Sequence, residues 1–152
     1  MGISTAANVA ARLINLAHEK ASPVSNLKLQ KLLYYSQAWH LALFKKPLFN
    51  DEIEAWVHGP VVPQVFRFYR DYKWASISKG DPSTLRSNIE AHLEEVWRAY
   101  GHLSGYDLER LTHSEDPWRQ ARQGIAPDES SHAVISKESM QRFYASRLNG
   151  KA

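Results

Sequence analysis

The apolar positions of this chain recur mostly at helical spacing, and the polar residues between them supply starts and stops. Ser4 or Thr5 can cap a first helix running to about Lys20, with Val9, Leu13, Leu16 and Ala17 along one side. Pro23 ends that run. Ser25 or Asn26 can open a second helix reaching about Phe44, whose Leu27, Leu29, Leu32, Leu33, Leu41, Leu43 and Phe44 leave it apolar around most of its circumference. A helix without a polar face has to be enclosed, so this pattern predicts a central helix.

Helical period is lost from Pro47 to Val57. Leu48 and Phe49, then Asn50 and Asp51, then Ile53 to Val57 fit two short extended pieces around a turn, a minor β-hairpin. Gly59 and Pro60 punctuate the chain, and Pro63 suits the first turn of a third helix. On that helix Val65, Phe66, Phe68, Tyr69 and Tyr72 share an inner arc, with Gln64, Arg67, Arg70, Asp71 and Trp74 on the other. A fourth helix fits Ser83 or Thr84 to about Tyr100, carrying Leu85, Ile89, Leu93, Val96 and Tyr100 at clear helical spacing. Ser104 with Asp107 reads as a capping box for a short helix through Leu111. Ser114 or Asp116 can cap another that holds Trp118, and Ser136 can start a last one with Met140, Phe143 and Tyr144 inward. The turn-rich stretches 76–83 and 124–132 read as loops inside one domain. The expected fold is mainly α: a single compact helical domain of about six helices over residues 1–152, with a minor short β-hairpin.

Composition supports a globular chain and removes several chemistries. At 152 residues one domain is the default, and five Trp, seven Tyr and five Phe give a small core large units to bury. The absence of cysteine excludes disulfides, thiolate metal sites and cysteine nucleophiles. No signal-like N-terminus and no apolar run near the ~20 residues of a membrane span are present, so the expected location is the cytoplasm, with no membrane partner. Net charge is +3, and the first 80 residues hold most of the excess base. A dedicated nucleic-acid binder usually shows a denser basic stripe. The asymmetry is compatible with an acidic partner without requiring one.

Seven histidines, His18, His40, His58, His92, His102, His113 and His132, raise metal or acid–base chemistry, but none forms an HxxxH pair or HExxH motif. The expectation is no metal and no cofactor, with His40 and His92 as hydrogen-bonded core imidazoles. GxSxG, Walker A and GxGxxG motifs are absent, and no catalytic residue is assigned. His58 and His113 differ from the rest because each sits at a break beside a tryptophan: Trp56-Val57-His58-Gly59-Pro60 and Thr112-His113-Ser114-Glu115-Asp116-Pro117-Trp118. If these corners meet, they form a small polar pocket with aromatic walls, in which either histidine could serve as a general base. The ordinary alternative is that both are loop-to-helix corners satisfying backbone groups. On the second helix Lys28, Lys31, Tyr35 and Trp39 share a narrow arc, and Arg67, Arg70 and Lys73 could extend it as a basic, aromatic partner-binding surface. The plainer reading packs Tyr35 and Trp39 inward with snorkelling lysines, and pairs Arg67 with Asp71.

The run Leu27-Lys28-Leu29-Gln30-Lys31-Leu32-Leu33-Tyr34-Tyr35-Ser36-Gln37-Ala38-Trp39-His40, followed by Lys46-Pro47-Leu48-Phe49 and Ile53-Glu54-Ala55-Trp56-Val57-His58-Gly59-Pro60-Val61-Val62, resembles the Panacea domain, also called the GepA or SocA-like family. The segment Leu111 to Trp118 resembles its second motif. Several separated motifs recur in order over nearly the whole chain. Ser36 and Lys45 stand where a small residue or glycine is expected. The resemblance implies an antitoxin from a two-gene toxin–antitoxin system, often phage-associated, that neutralises a cognate toxin encoded beside it by direct contact. Some members look instead like adaptors that deliver a bound toxin to an AAA+ protease. The expected toxin-binding face is Lys31, Tyr35, Trp39, Arg67 and Arg70, positioned by the corner of Trp56, His58, Gly59, Pro60, Thr112, His113 and Trp118. The alternatives are a small-molecule enzyme and a nucleic-acid-binding protein.

Overall fold

The computed structural model describes residues 2–80 and 84–150. Seven helices pack with a small antiparallel sheet: α1 (Ala6–Glu19), α2 (Asn26–Phe44), β1 (Ile53–Trp56), β2 (Gly59–Val61), α3 (Pro63–Phe68), α4 (Ser87–Tyr100), α5 (Gly105–His113), α6 (Asp116–Ala121), β3 (Val134–Ile135) and α7 (Lys137–Gly150). The chain is mainly α with a minor β element, as the sequence pattern predicts.

Side chains set most of the helix starts. Thr5 accepts from the Asn8 amide at the start of α1, and Ser25 accepts from the Lys28 amide at the start of α2. Ser104 and Asp107 close a reciprocal capping box on α5. Pro63 occupies the first turn of α3. Two expected caps differ. Glu115 holds the cap position of α6, without a side-chain cap bond, and α4 begins only after Arg86. Ser83, one of the expected caps for α4, lies outside the described residues.

Helix α2 is the axis of the molecule and packs against α1, α4, α5, α7 and β2. Leu29, Leu32, Leu33, Tyr34, Tyr35 and Ala38 are at most 1% exposed, which explains why its apolar residues run around the whole helix. It ends at Lys45, held left-handed with φ 63°, a conformation that favours glycine. This is one of the two positions where a small residue or glycine is expected from the resemblance.

The hairpin forms from different strands than expected. β1 pairs with β2 across the turn Val57-His58, with Glu54 opposite Val61, Ala55 opposite Pro60 and Trp56 opposite Gly59. β3 adds to the other edge of β1, giving the order β2-β1-β3. Leu48 and Phe49 do not pair with β1, because a helix side chain already satisfies their backbone. The buried Gln37 amide accepts from the Leu48 N–H at 2.7 Å and donates to the Phe49 carbonyl at 2.7 Å. The Leu48 carbonyl is taken by the Ser4 N–H at 2.9 Å.

Helix α3 is shorter than the apolar spacing suggests. It ends at Phe68 and passes into a 3-10 turn, Arg70–Tyr72, so the predicted inner arc breaks: Val65 is buried but Phe68 is 78% exposed. The Arg67–Asp71 ion pair does not form among the described residues.

Candidate functional site

The two motif corners meet. Gly59 closes the β1–β2 turn with φ +108°, and a Cβ there would lie 2.6 Å from Lys31 Cε and 3.1 Å from Thr112 Oγ1. Only glycine provides both that backbone conformation and that clearance. Trp118 Nε1 donates to the Trp56 carbonyl at 2.8 Å, which pins α6 to the end of β1. The His113 ring stacks on Trp118 at 3.9 Å and 14°, and burial pushes its pKa down. Its Nε2 is buried without a hydrogen-bond partner among the described residues. Thr112 is buried and donates to the Glu109 carbonyl at 2.8 Å, so its hydroxyl completes the helix rather than facing solvent.

The exposed side of this junction is a groove of about 680 Å³. Residues of α2 form its floor. Trp56, Val57 and His58 come from the hairpin, Phe66, Arg70, Lys73 and Trp74 from α3 and the turn after it, and Tyr106 and Glu109 from α5. His58 Nδ1 donates to Glu109 Oε2 at 3.0 Å, with the histidine 69% and the carboxylate 15% exposed. His58 and Trp56 therefore line the opening while His113 and Trp118 lie behind it. The groove is thus lined by one corner's side chains and supported by the other's, and its lining is mainly apolar rather than the small polar pocket the sequence suggests.

A polar relay fixes the floor. The Val62 N–H donates to Gln30 Oε1 at 2.9 Å, Gln30 Nε2 donates to Asn26 Oδ1 at 2.9 Å, and Asn26 Nδ2 donates to the Phe66 carbonyl at 3.0 Å. Lys31, 0% exposed, donates to the Pro60 carbonyl at 3.3 Å. Together Gln30 and Lys31 satisfy the outer edge of β2, which would otherwise present free backbone groups. Enclosure pushes the Lys31 amine down to about 7, against the opposing pull of Glu109.

The expected partner-binding residues divide. Arg67 and Arg70 are exposed, and Arg70 lines the groove. Lys31 and Tyr35 are 0% exposed, and Trp39 is half-buried, its Nε1 donating to the Tyr100 hydroxyl at 2.7 Å. These five side chains do not form one continuous surface, because Tyr100 of α4, Tyr144 of α7 and Glu115 cover the arc of α2 that carries Tyr35 and Trp39.

What covers that arc is a closed polar cluster. Tyr35 and Tyr144 both donate to Glu115 Oε1, at 2.6 and 2.8 Å, and the Tyr34 and Tyr144 hydroxyls lie 3.0 Å apart. Tyr35 stacks on Tyr100 at 3.9 Å. Burial raises the Glu115 carboxyl, and the two hydroxyl donors oppose that rise. Along the chain Glu115 stands out only as part of a motif, and nothing in its local spacing signals a buried role. Arg122 carries no local signal at all. It is 3% exposed, donates to the carbonyls of Ala55, Ala126 and Glu129, and lies 5.1 Å from the Trp118 ring, tying β1 to the loop before β3.

His40 Nδ1 donates to the Lys46 carbonyl at 2.7 Å and His92 Nε2 to the Ser36 carbonyl at 2.9 Å, and burial lowers both pKa values. Both are hydrogen-bonded core imidazoles. Among the described residues no three His, Asp or Glu side chains converge as a metal site would require. No helix among them is long and apolar enough to cross a membrane.

The helical scaffold and the hairpin corner thus build a groove lined by aromatic rings. Residues 29–119 match the family described as "Antitoxin SocA-like, Panacea domain", and the chain belongs to that family. The match encloses Lys31, both motif corners and Glu115. Among curated proteins, the chain is similar to Antitoxin SocA of Caulobacter vibrioides (strain NA1000 / CB15N), 35% identical over 122 residues, covering 68% of this chain and 65% of that relative. The chain thus spans a little under two thirds of the relative's length. No solved structure matches it.

Proposed function

We propose that this chain is an antitoxin acting in the cytoplasm, which neutralises a toxin protein by binding it directly and catalyses no reaction. The observation that carries this reading is family membership across residues 29–119, the segment that supplies most of the groove's lining. The relative's name, Antitoxin SocA, supports it. Exposed aromatic side chains near arginine are the residue types that dominate binding energy at protein interfaces, and Trp74, at 82% exposed, lies close in sequence to Arg70.

The test is co-expression with the product of the gene next to its own, scoring growth and co-purification together. Restored growth with a stable complex is the expected result. Restored growth with no complex, or toxin loss that occurs only when an AAA+ protease is present, would replace sequestration with reversal or delivery for degradation.

A further inference from the structure

The groove has a chemical character that narrows what fits it. Trp56, Phe66, Trp74 and Tyr106 give it apolar, aromatic walls, and Trp74 and Tyr106 are 82% and 63% exposed. Two exposed cations, Arg70 and Lys73, border the same space, with the enclosed Lys31 amine in the floor. The acidic group facing them, Glu109, is already engaged by His58 at 3.0 Å. Among the described residues neither Arg70 nor Lys73 forms an ion pair. Lys73 is also held at φ 56° and ψ −116°, a conformation that favours glycine. A lysine in that conformation puts a charge at the groove at a conformational cost.

This pattern suits apolar side chains with carboxylates among them better than a nucleic-acid backbone. A phosphate chain calls for a long run of cations, whereas here a few flank a predominantly aromatic lining. The sheet edge beside the groove is already satisfied by Gln30 and Lys31, so an occupant is held through its side chains rather than by adding a strand.

We propose that the groove is a docking site for an acidic, apolar peptide segment, whose carboxylates meet Arg70 and Lys73 while its aromatic or aliphatic side chains lie against Trp56, Trp74 and Tyr106. Resting on the antitoxin reading, that segment belongs to the toxin. The side chains of Arg70 and Lys73 set which sequences enter.

The experiment needs no toxin. Random heptapeptides displayed on phage are selected on the purified full chain, and the enriched peptides, synthesised with a fluorophore, are titrated by anisotropy against wild type, Arg70→Glu, Lys73→Gly and Trp74→Ala. Enriched sequences should combine Asp or Glu with Phe, Trp or Leu. Their binding should weaken roughly ten-fold or more in each variant, as expected for loss of a charge partner or aromatic anchor. Lys73→Gly should weaken binding while its Tm stays level or rises, since glycine relieves the backbone, and this separates lost recognition from lost folding. Enrichment of basic or neutral sequences, equal binding by the variants, or displacement of the peptide by a single-stranded oligonucleotide would overturn the proposal. The growth assay separates the two readings. Rescue by wild type and equally by Arg70→Glu would reject the groove and leave the antitoxin. No rescue by wild type would reject the antitoxin, and the peptide titration would still decide the groove's ligand.

Discussion

One turn apart on α2, Lys31 and Tyr35 enter two buried polar regions that solve the same problem differently. Around Tyr35 the ionisable group is a carboxylate, Glu115, and two tyrosine hydroxyls reach it at 2.6 and 2.8 Å. Around Lys31 the ionisable group is an amine whose hydrogen bond among the described residues is a single 3.3 Å contact with a carbonyl. Short donors offset part of the cost of burying the Glu115 charge, whereas the Lys31 amine has little beside it to offset its own. The first region lies between α2, α4, α7 and the start of α6. The second lies under an open groove. The contrast teaches where this fold invests in stability and where it tolerates a cost for the sake of a surface.

The largest expected effect breaks the contrast on the lysine side. The Lys31 amine falls from 10.5 in the unfolded chain to about 7 in the folded one. Between those values the unfolded chain holds the extra proton, so stability climbs as pH rises from about 7 to 10.5 and the cost of burying the charge is fully present below 7. The swing is on the order of 3–5 kcal/mol if the shift is carried in full. Lys31→Met keeps the stem, removes the charge, and should flatten this part of the profile in urea titrations at pH 6, 8 and 10. An unchanged slope would mean that the amine is hydrated in the folded protein and that the two regions are less different than their geometry implies.

A smaller effect sharpens the contrast on the tyrosine side. Tyr144→Phe removes one donor to Glu115 and the contact with the Tyr34 hydroxyl, for a cost of about 1.5–3 kcal/mol. Its pH dependence comes from the carboxyl. Burial already raises Glu115, and losing a donor that opposes this raises it further. Stability from such a group is greatest at low pH and is lost as pH rises through the folded pKa, so the variant should lose more at pH 8 than at pH 5. Thermal melts at the two pH values measure this. Equal losses would show that the hydroxyls do not act through the carboxylate.

Much of this fold can be read from residue spacing, because its information is local. Thr5, Ser25, Pro63 and the Ser104–Asp107 pair mark helix starts through bonds to residues no more than a turn away. The strand pairing is not local. Leu48 and Phe49 have the pattern of a strand, but a glutamine from α2 takes their backbone groups, and β3 is too short, at two residues, to show a period. The site divides in the same way. The glycine, histidine and tryptophan corners identify a junction because glycine at φ +108° and paired breaks are visible in order along the chain. The partner-binding face inferred from a helical wheel is not legible to the same degree. A wheel places Lys31, Tyr35 and Trp39 on one arc, and only the packing of Tyr100, Tyr144 and Glu115 shows that the arc is covered. Arg70, on a short element at the surface, is the exposed member of that set that reaches the groove.

The most direct measurement is hydrogen–deuterium exchange of the chain alone and in complex with the product of the neighbouring gene. Segments 56–58, 70–74 and 106–109 should become protected, while amides of α7 around Tyr144 exchange as before. Protection confined to α7 or α1, with the groove segments unchanged, would contradict the account.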